Sequence, residues 1–158
     1  MLDYVRGNDV GIQCHSQGRP LNLPIRGEYV DWPVGFLPGQ RLADVWDLEE
    51  ARFGTRDFYY WQNGAAHKNR MQGNDFVQSV MYHRGLRCFD CHQVHNNQNP
   101  SNLIAHGNEL CLRCHAVNNP AGLHGTVSEH THHTEKAKGS ECTACHMPKI
   151  AQTLGNNL

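Results

Sequence analysis

The chain has 158 residues, of which 39% are hydrophobic and 8% aromatic, so one domain's length carries few core-forming side chains. Charged residues make up 18% and the net charge is −1, and we therefore expect no nucleic-acid partner and no anionic membrane partner. No run approaches the roughly 18 apolar residues of a membrane span. The N-terminus lacks the pattern of a signal peptide, which predicts a soluble chain that is mature or incomplete.

The N-terminal half of the chain contains two stretches with helical periodicity. Residues 41–53 carry apolar side chains at helical spacing, which predicts a short amphipathic helix. Asn74 is the predicted N-cap of a second helix, and Gly85 is its predicted end. Residues 21–39 are rich in proline and show little periodicity, so we predict a loop there.

Six of the seven cysteines form Cys-x-x-Cys pairs, and a histidine follows each pair directly. The three motifs are Cys88, Cys91 and His92; Cys111, Cys114 and His115; and Cys142, Cys145 and His146. Cys-x-x-Cys-His is the signature of c-type haem attachment. Residues at i, i+3 and i+4 share one face of a helix, so two thiols can bond to the vinyl groups of one haem while the imidazole binds its iron. Asn108 and Ser140 are the predicted N-caps of the second and third motif helices.

Two other interpretations of the cysteine pairs are zinc binding and disulfides. The interval between Cys91 and Cys111 also lets the first two pairs fit a four-cysteine zinc site. Dithiol pairs outside the cytoplasm often oxidise, which makes disulfides the second alternative. Neither alternative requires a histidine after every pair, and three chance placements have a probability below about one in a thousand. The pattern favours haem c.

The seventh cysteine stands in an incomplete motif. Gly11-Ile12-Gln13-Cys14-His15 has the second cysteine and the histidine of an attachment site, with Gly11 in the first cysteine's place. The alternative is a free thiol beside a surface histidine. We favour a haem at Cys14 and His15, held by one thioether, because the N-terminal half would otherwise fold around a small core of its own. The expected number of haems is four, with a minimum of three.

Histidines outnumber the proximal ligands. Removing His15, His92, His115 and His146 leaves His67, His83, His95, His106, His124, His130, His132 and His133. Bis-histidine ligation needs one further imidazole per iron, so about half of these eight residues must have another role. A six-coordinate iron keeps its geometry while its oxidation state changes, which favours electron transfer over the binding of a small molecule.

These features predict a small, loop-rich, mainly α fold with little or no sheet, in which haems form the core. We expect one multihaem cytochrome domain over residues 1–158. Residues 1–80 would carry the first haem, and residues 81–158 the three complete motifs. Each porphyrin offers a large flat apolar surface against which short segments can pack.

Several runs resemble the multihaem c-type cytochromes related to the nitrite-reductase and hydroxylamine-linked tetrahaem cytochromes. These runs are CHSQGRP (14–20), DWPVGF (31–36), AHKNRMQGNDF (66–76), CFDCHQVH (88–95), EHTHH (129–133) and CTACHMPKI (142–150). The family has a complete motif at the first site, where this chain has Gly11, and usually continues beyond the position of Leu158. The resemblance spans most of the chain, and its motifs are specific in the second half.

The resemblance implies distal ligands and a location. His67 would serve the first haem, His95 a neighbouring haem, and His124 and one of His132 or His133 the others. Covalent haem attachment takes place outside the cytoplasm, so the resemblance implies a periplasmic or extracellular protein.

Two functions compete. With four haems, one for about 40 residues, the groups would be packed closely enough to form an electron relay whose irons are fully ligated. Its partners would be redox proteins, extracellular electron acceptors, or further copies stacked head to tail in a filament. The alternative is a reductase of small nitrogen compounds at one open haem, with Arg70, Lys68 or Tyr82 above the iron. The surplus of histidines favours an electron carrier without catalytic residues.

Overall fold

The computed structural model describes residues 2–21, 27–28, 30–93, 95, 100–117, 119–120 and 122–147. Short helices and connecting loops make up most of this part of the chain, and its sheet has two strands. The predicted small, loop-rich, mainly α fold with little sheet is therefore confirmed. None of the helices in these ranges is long and apolar enough to span a membrane.

The elements divide between two compact units. The helices are α1 (Tyr4–Ile12), α2 (Gln72–Val77), α3 (Val80–His83), α4 (Cys88–Cys91), α5 (Asn108–His115), α6 (Val127–Thr131) and α7 (Cys142–His146), and the strands are β1 (Gly18–Pro20) and β2 (Trp46–Leu48). Short 3₁₀ turns occupy Leu42–Asp44, Pro100–Asn102 and Lys138–Ser140. The first unit reaches Cys88 and the second begins at Phe89, so the boundary falls inside α4. A single domain over residues 1–158 stays a prediction.

The helix predicted over residues 41–53 is absent, and that prediction was wrong. This stretch forms a 3₁₀ turn followed by β2, which pairs antiparallel with β1. Arg19 lies opposite Asp47 in the ladder, and their side chains form an ion pair with an N–O distance of 2.8 Å. Leu42 and Trp46, which suggested a helix face, are buried by the turn and the strand instead. Pairing with a distant segment has overridden the local periodicity.

The first unit has an apolar core in two clusters. One contains Ile12, Phe36, Leu42 and Trp46, and the other contains Tyr60, Ala66 and Met71. The hydroxyl of Tyr60 donates to the carbonyl of Glu49 at 2.7 Å, which satisfies the polar end of a fully buried ring. The N-terminal half therefore has more core than the sequence analysis assumed when it placed a haem there.

Asn74 does not cap a helix, contrary to the prediction. It lies inside α2 with 1% of its surface exposed, and its side chain joins distant backbone segments. The amide oxygen accepts from the backbone nitrogen of Gln17 at 2.9 Å, and the amide nitrogen donates to the carbonyls of Gln17 and Glu49. Ser79 caps α3, so the single helix predicted between Asn74 and Gly85 is two short helices in the structure. Gly85 follows α3 with a φ of +88°, as predicted for a helix end.

The described part of the second unit lacks an apolar core. Every buried hydrophobic residue of the described chain lies before position 72, and from Phe89 onward Ser140 is the only residue in the described ranges that is buried. Polar contacts hold its helices, including a capping box at the start of α6 between Thr126 and Glu129. This unit contains most of the Cys-x-x-Cys-His residues.

Candidate haem-binding sites

The three Cys-x-x-Cys pairs lie on helices. They occupy α4, the middle of α5 and the start of α7, where the i, i+3 spacing places both thiols on one side of a turn. None of the seven cysteines forms a disulfide and none is fully buried: Cys14, Cys114 and Cys145 are exposed, and Cys88, Cys91, Cys111 and Cys142 are half-buried. Each cysteine is thus accessible to a porphyrin edge.

Thiols of different motifs influence one another in the second unit. Helices α5 and α7 are in contact. Burial raises the pKa of the Cys111 thiol, and the neighbouring Cys142 thiol raises it further. Burial also raises the pKa of Cys91, with smaller effects from Asp90 and Cys114. Both shifts favour the neutral thiol over the thiolate.

His92, a predicted proximal ligand, has a hydrogen bond that fixes its ring. Its Nδ1 lies 2.9 Å from the carbonyl oxygen of Ser101. A carbonyl can only accept, so Nδ1 carries the hydrogen and Nε2 keeps its lone pair. A backbone carbonyl on Nδ1 is the usual partner that orients a metal-binding imidazole.

His130 and His146 form a pair of imidazoles that the sequence analysis did not anticipate. Their ring centroids are 6.1 Å apart and their planes differ by 14°. His130 lies in α6, and His146 ends α7. The run EHTHH contained His130, but spacing alone did not distinguish it from its neighbours.

The other predicted distal ligands of the second unit are dispersed. His132 ends α6 with a left-handed φ of 58°. The ring of His133 lies against Gly139, where a Cβ would come within 2.6 Å of it. His95 and His124 are exposed. Their roles as distal ligands stay predictions.

His67, the predicted distal ligand of the first haem, is buried with 4% of its surface exposed. Its ring packs on Trp61 with centroids 4.4 Å apart, and its Nε2 lies 3.2 Å from the carbonyl oxygen of Asp57. Ligation of an iron through Nε2 would require this hydrogen bond to break. The predicted role of His67 would therefore lose the stabilising free energy of that bond.

The incomplete motif continues helix α1. The backbone nitrogens of Cys14 and His15 donate to the carbonyl of Gly11 at 3.0 and 3.1 Å, so helical turns persist beyond Ile12. The carbonyl of His15 accepts from the nitrogen of Gly73 at 2.7 Å, which ties the motif to α2. A Cβ at Gly11 would lie 3.9 Å from the sulfur of Cys88.

Two asparagines clamp one motif to another, and the sequence analysis missed this role. Asn108 was the predicted N-cap of α5, but Gly107 precedes that helix without a side-chain cap and Asn108 caps α7 instead. Its amide nitrogen donates to the carbonyl of Ser140 at 2.7 Å, and its oxygen accepts from the nitrogen of Cys142 at 2.8 Å. Ser140 is therefore not the N-cap of α7, which Glu141 precedes.

The second clamp is in the first unit. The amide nitrogen of Asn8 donates to the carbonyl of Leu86 at 2.9 Å, and its oxygen accepts from the nitrogen of Cys88 at 2.9 Å. Asn8 lies on α1 and has 1% of its surface exposed. Both asparagines stand three residues before the first thiol position of their own motif.

The residues fit haem better than a bare metal ion. In the described ranges, no three His, Cys, Asp or Glu side chains converge where they could hold a metal ion. Paired thiols and an adjacent imidazole on one helical turn are the donor set for haem c. In the second unit no described apolar side chain is buried, so flat apolar groups would supply an interior that these residues do not form themselves.

The side chains suggested for a reductase site have structural contacts. The guanidinium of Arg70 pairs with Asp31 at 3.3 Å, and the ammonium of Lys68 lies 4.0 Å from the ring centre of Phe58. Tyr82 packs edge-to-face on Tyr4, and burial raises its pKa.

One comparison with known proteins gives a match. The family described as the doubled CXXCH motif matches residues 82–119, which contain the first two complete motifs. No curated protein and no solved structure matches the chain. The match supports a multihaem c-type cytochrome-like protein, in which the doubled motif indicates covalently bound haem c. A relationship to the nitrite-reductase and hydroxylamine-linked cytochromes stays a prediction.

Proposed function

We propose that the chain transfers electrons through closely packed haem c groups attached at its three complete motifs. The observation that carries this proposal is the absence of a buried apolar side chain among the described residues from Phe89 onward, where most of the motif residues lie. Porphyrins held by these thiols supply the missing apolar interior. Each bound haem supplies a reversible ferric–ferrous couple.

Bis-histidine ligation is part of the proposal. His92, His115 and His146 are the proximal ligands, and the Nδ1 hydrogen bond of His92 to a backbone carbonyl supports this role. The resemblance assigns their distal positions to His95, His124 and one of His132 or His133, and assigns His67 to a first haem at the incomplete motif. Two neutral imidazoles keep the iron six-coordinate in both oxidation states, so the chain moves an electron with little rearrangement.

The test is the mass of the purified protein in denaturant, together with its iron and zinc content. Thioether-bound haems survive denaturation, and we expect at least three per chain. Colourless protein, or zinc in place of iron, would refute the proposal and support the four-cysteine zinc site.

Absorption spectra separate the electron carrier from the reductase. Bis-histidine haems are low-spin, and we expect no spectral change on adding nitrite or cyanide. A high-spin ferric fraction that shifts with either ligand would favour catalysis at an open iron.

Export and partners complete the proposal. Proteins with haem c are typically exported, because attachment takes place outside the cytoplasm, so we place the chain in the periplasm or outside the cell. Redox proteins or extracellular acceptors would exchange electrons with it. Head-to-tail stacking into a filament would extend the relay, and a concentrated native preparation without fibres under the electron microscope would count against stacking.

A further inference from the structure

The chain contains two copies of one arrangement, and we propose that the N-terminal copy binds a fourth haem at Cys14 and His15. The inference rests on the proposed function, because it compares the incomplete motif with a complete one. It adds a structural reason that the sequence analysis lacked.

The two copies match residue by residue. NDVGIQCH (8–15) and NELCLRCH (108–115) share Asn, an acidic residue, an aliphatic residue at two positions, and the final Cys-His. Each has a partner segment, GLRCFDCH (85–92) for the first and GSECTACH (139–146) for the second. A haem is attached through two cysteines and a histidine, and the copies differ at one of these three positions. The first copy has Gly11 where the second has Cys111.

The same hydrogen bonds join each copy to its partner. The side chain of Asn8 donates to the carbonyl of Leu86, two residues before Cys88, and accepts from the backbone nitrogen of Cys88. Asn108 donates to the residue two before Cys142 and accepts from the nitrogen of Cys142. The four distances lie between 2.7 and 2.9 Å. Position for position, Cys14 and His15 therefore stand where Cys114 and His115 stand.

The first thiol position is also equivalent in space. Cys111 is next to the Cys142 thiol, which raises its pKa. A Cβ at Gly11 would be 3.9 Å from the Cys88 sulfur, an ordinary contact distance. The first copy thus lacks one sulfur at a position that is otherwise equivalent.

Attachment then needs a single bond. The sulfur of Cys14 bonds to one carbon of a haem vinyl group, and the thiol hydrogen goes to the other carbon, so the double bond becomes single and nothing leaves. The second vinyl group stays intact and conjugated with the ring, and the imidazole of His15 binds the iron.

Intact mass in denaturant, peptide mapping and alkylation test this site. We expect four haems per chain, a haem-bearing peptide that contains Cys14, and the loss of one haem in Cys14→Ser. Three haems in the unaltered protein, with Cys14 open to iodoacetamide, would overturn the inference and leave the proposed function intact. No haem at all would overturn both.

A matched pair of variants tests whether positions 11 and 111 are equivalent. Neither variant is expected to remove a haem site. Gly11→Cys should keep four haems and move the ferrous α band of one haem to shorter wavelength, because a second vinyl group becomes saturated. Cys111→Gly should keep four haems and move one α band to longer wavelength. Loss of a haem from Cys111→Gly would show that Gly at this position is incompatible with attachment, against the inference.

A second and independent observation concerns the iron held by His146. We infer that His130 is its distal ligand. An imidazole nitrogen binds a first-row metal at about 2.0 Å, and the ring centre lies about 1.1 Å beyond that nitrogen. Two imidazoles on opposite sides of one iron therefore have centroids about 6.2 Å apart. The ring centroids of His130 and His146 are 6.1 Å apart, and the planes are stacked at 14°. The spacing therefore fits one iron, and a rotation of the rings about their side-chain bonds would aim both Nε2 atoms at it.

The spin state of the haem irons tests whether His130 is a distal ligand. His130→Gly should convert one haem to a high-spin form that binds cyanide, and added imidazole should restore the low-spin spectrum. His106→Gly, at an exposed histidine of the same unit that is given no ligand role, is the matched control and should leave every haem low-spin. The assignment fails if His130→Gly stays fully low-spin, or if His106→Gly produces the same high-spin haem.

Discussion

Replacing Asn108 with alanine tests whether the hydrogen bonds of this side chain stabilise the contact between two Cys-x-x-Cys-His motifs. The variant loses the bonds to the Ser140 carbonyl at 2.7 Å and to the Cys142 nitrogen at 2.8 Å. Each bond has a net value of about 1 kcal/mol, and the partly buried groups left unpaired add to the loss. We expect the free energy of unfolding to fall by about 2–3 kcal/mol. That is a large share of the roughly 5–15 kcal/mol typical of a domain.

The assay is urea unfolding of the haem-loaded protein, followed by far-ultraviolet circular dichroism. Asn108→Asp keeps the acceptor for the Cys142 nitrogen but turns a carboxylate oxygen toward the Ser140 carbonyl oxygen, so it should not restore the stability of the unaltered protein. Glu135→Ala, at an exposed position in the same unit, is the control and should change the free energy by less than about 0.5 kcal/mol. Asn8→Ala should cost as much as Asn108→Ala. A loss below about 0.5 kcal/mol in both alanine variants would refute the reasoning.

Three further predictions concern the first unit. Tyr60→Phe removes the 2.7 Å bond to the Glu49 carbonyl and should cost about 0.5–1.5 kcal/mol in guanidinium unfolding, whereas no loss would mean that water replaces the bond. Burial raises the pKa of Asp75 above its unfolded value, so its ionisation opposes folding as pH rises. Asp75→Asn should therefore stabilise the protein at pH 7 and lose this advantage below the unfolded pKa, and an unchanged difference between pH 7 and pH 3 would contradict that cause. Gly18→Ala places a Cβ against the backbone carbonyl oxygen of Asp47 and 2.6 Å from the Trp46 indole nitrogen, and should cost about 1–3 kcal/mol, while an unchanged melting temperature would show that both the strand and the ring move without cost.

Local patterns in the sequence predicted the motif helices well. Cys-x-x-Cys-His fits one helical turn by its own spacing, so no distant partner is needed to place Cys88, Cys111 or Cys142 on helices. The shortage of apolar residues likewise predicted a loop-rich fold with little sheet. The first signal depends on neighbours in the chain and the second on overall composition, so neither requires knowledge of a distant contact.

The structural predictions were wrong where the conformation of a segment depends on a contact with residues far away in the chain. Asn74 reads as a cap from its neighbours, but it bonds to Gln17, 57 residues away. The stretch at residues 41–53 has helical periodicity, but pairing with β1 makes part of it a strand. Single-sequence reasoning weighs only local competitors, and here the tertiary contacts prevailed.

The distal ligand proposed for the iron of His146 could not be identified from local sequence patterns either. The run at residues 129–133 offered three histidines, and the resemblance pointed to His132 or His133. His130 was passed over because only the packing of α6 against the residues around α7 brings its ring near His146. The repeat of Asn8 at Asn108 was legible in the sequence, but its meaning required the hydrogen bonds.

The described part of the second unit has no buried apolar side chain, and this bears on how the unit folds. If haem fills this unit as proposed, its folding and the supply of the cofactor are one linked equilibrium. A protease should then cut the haem-free chain within residues 89–147 faster than it cuts the haem-loaded protein.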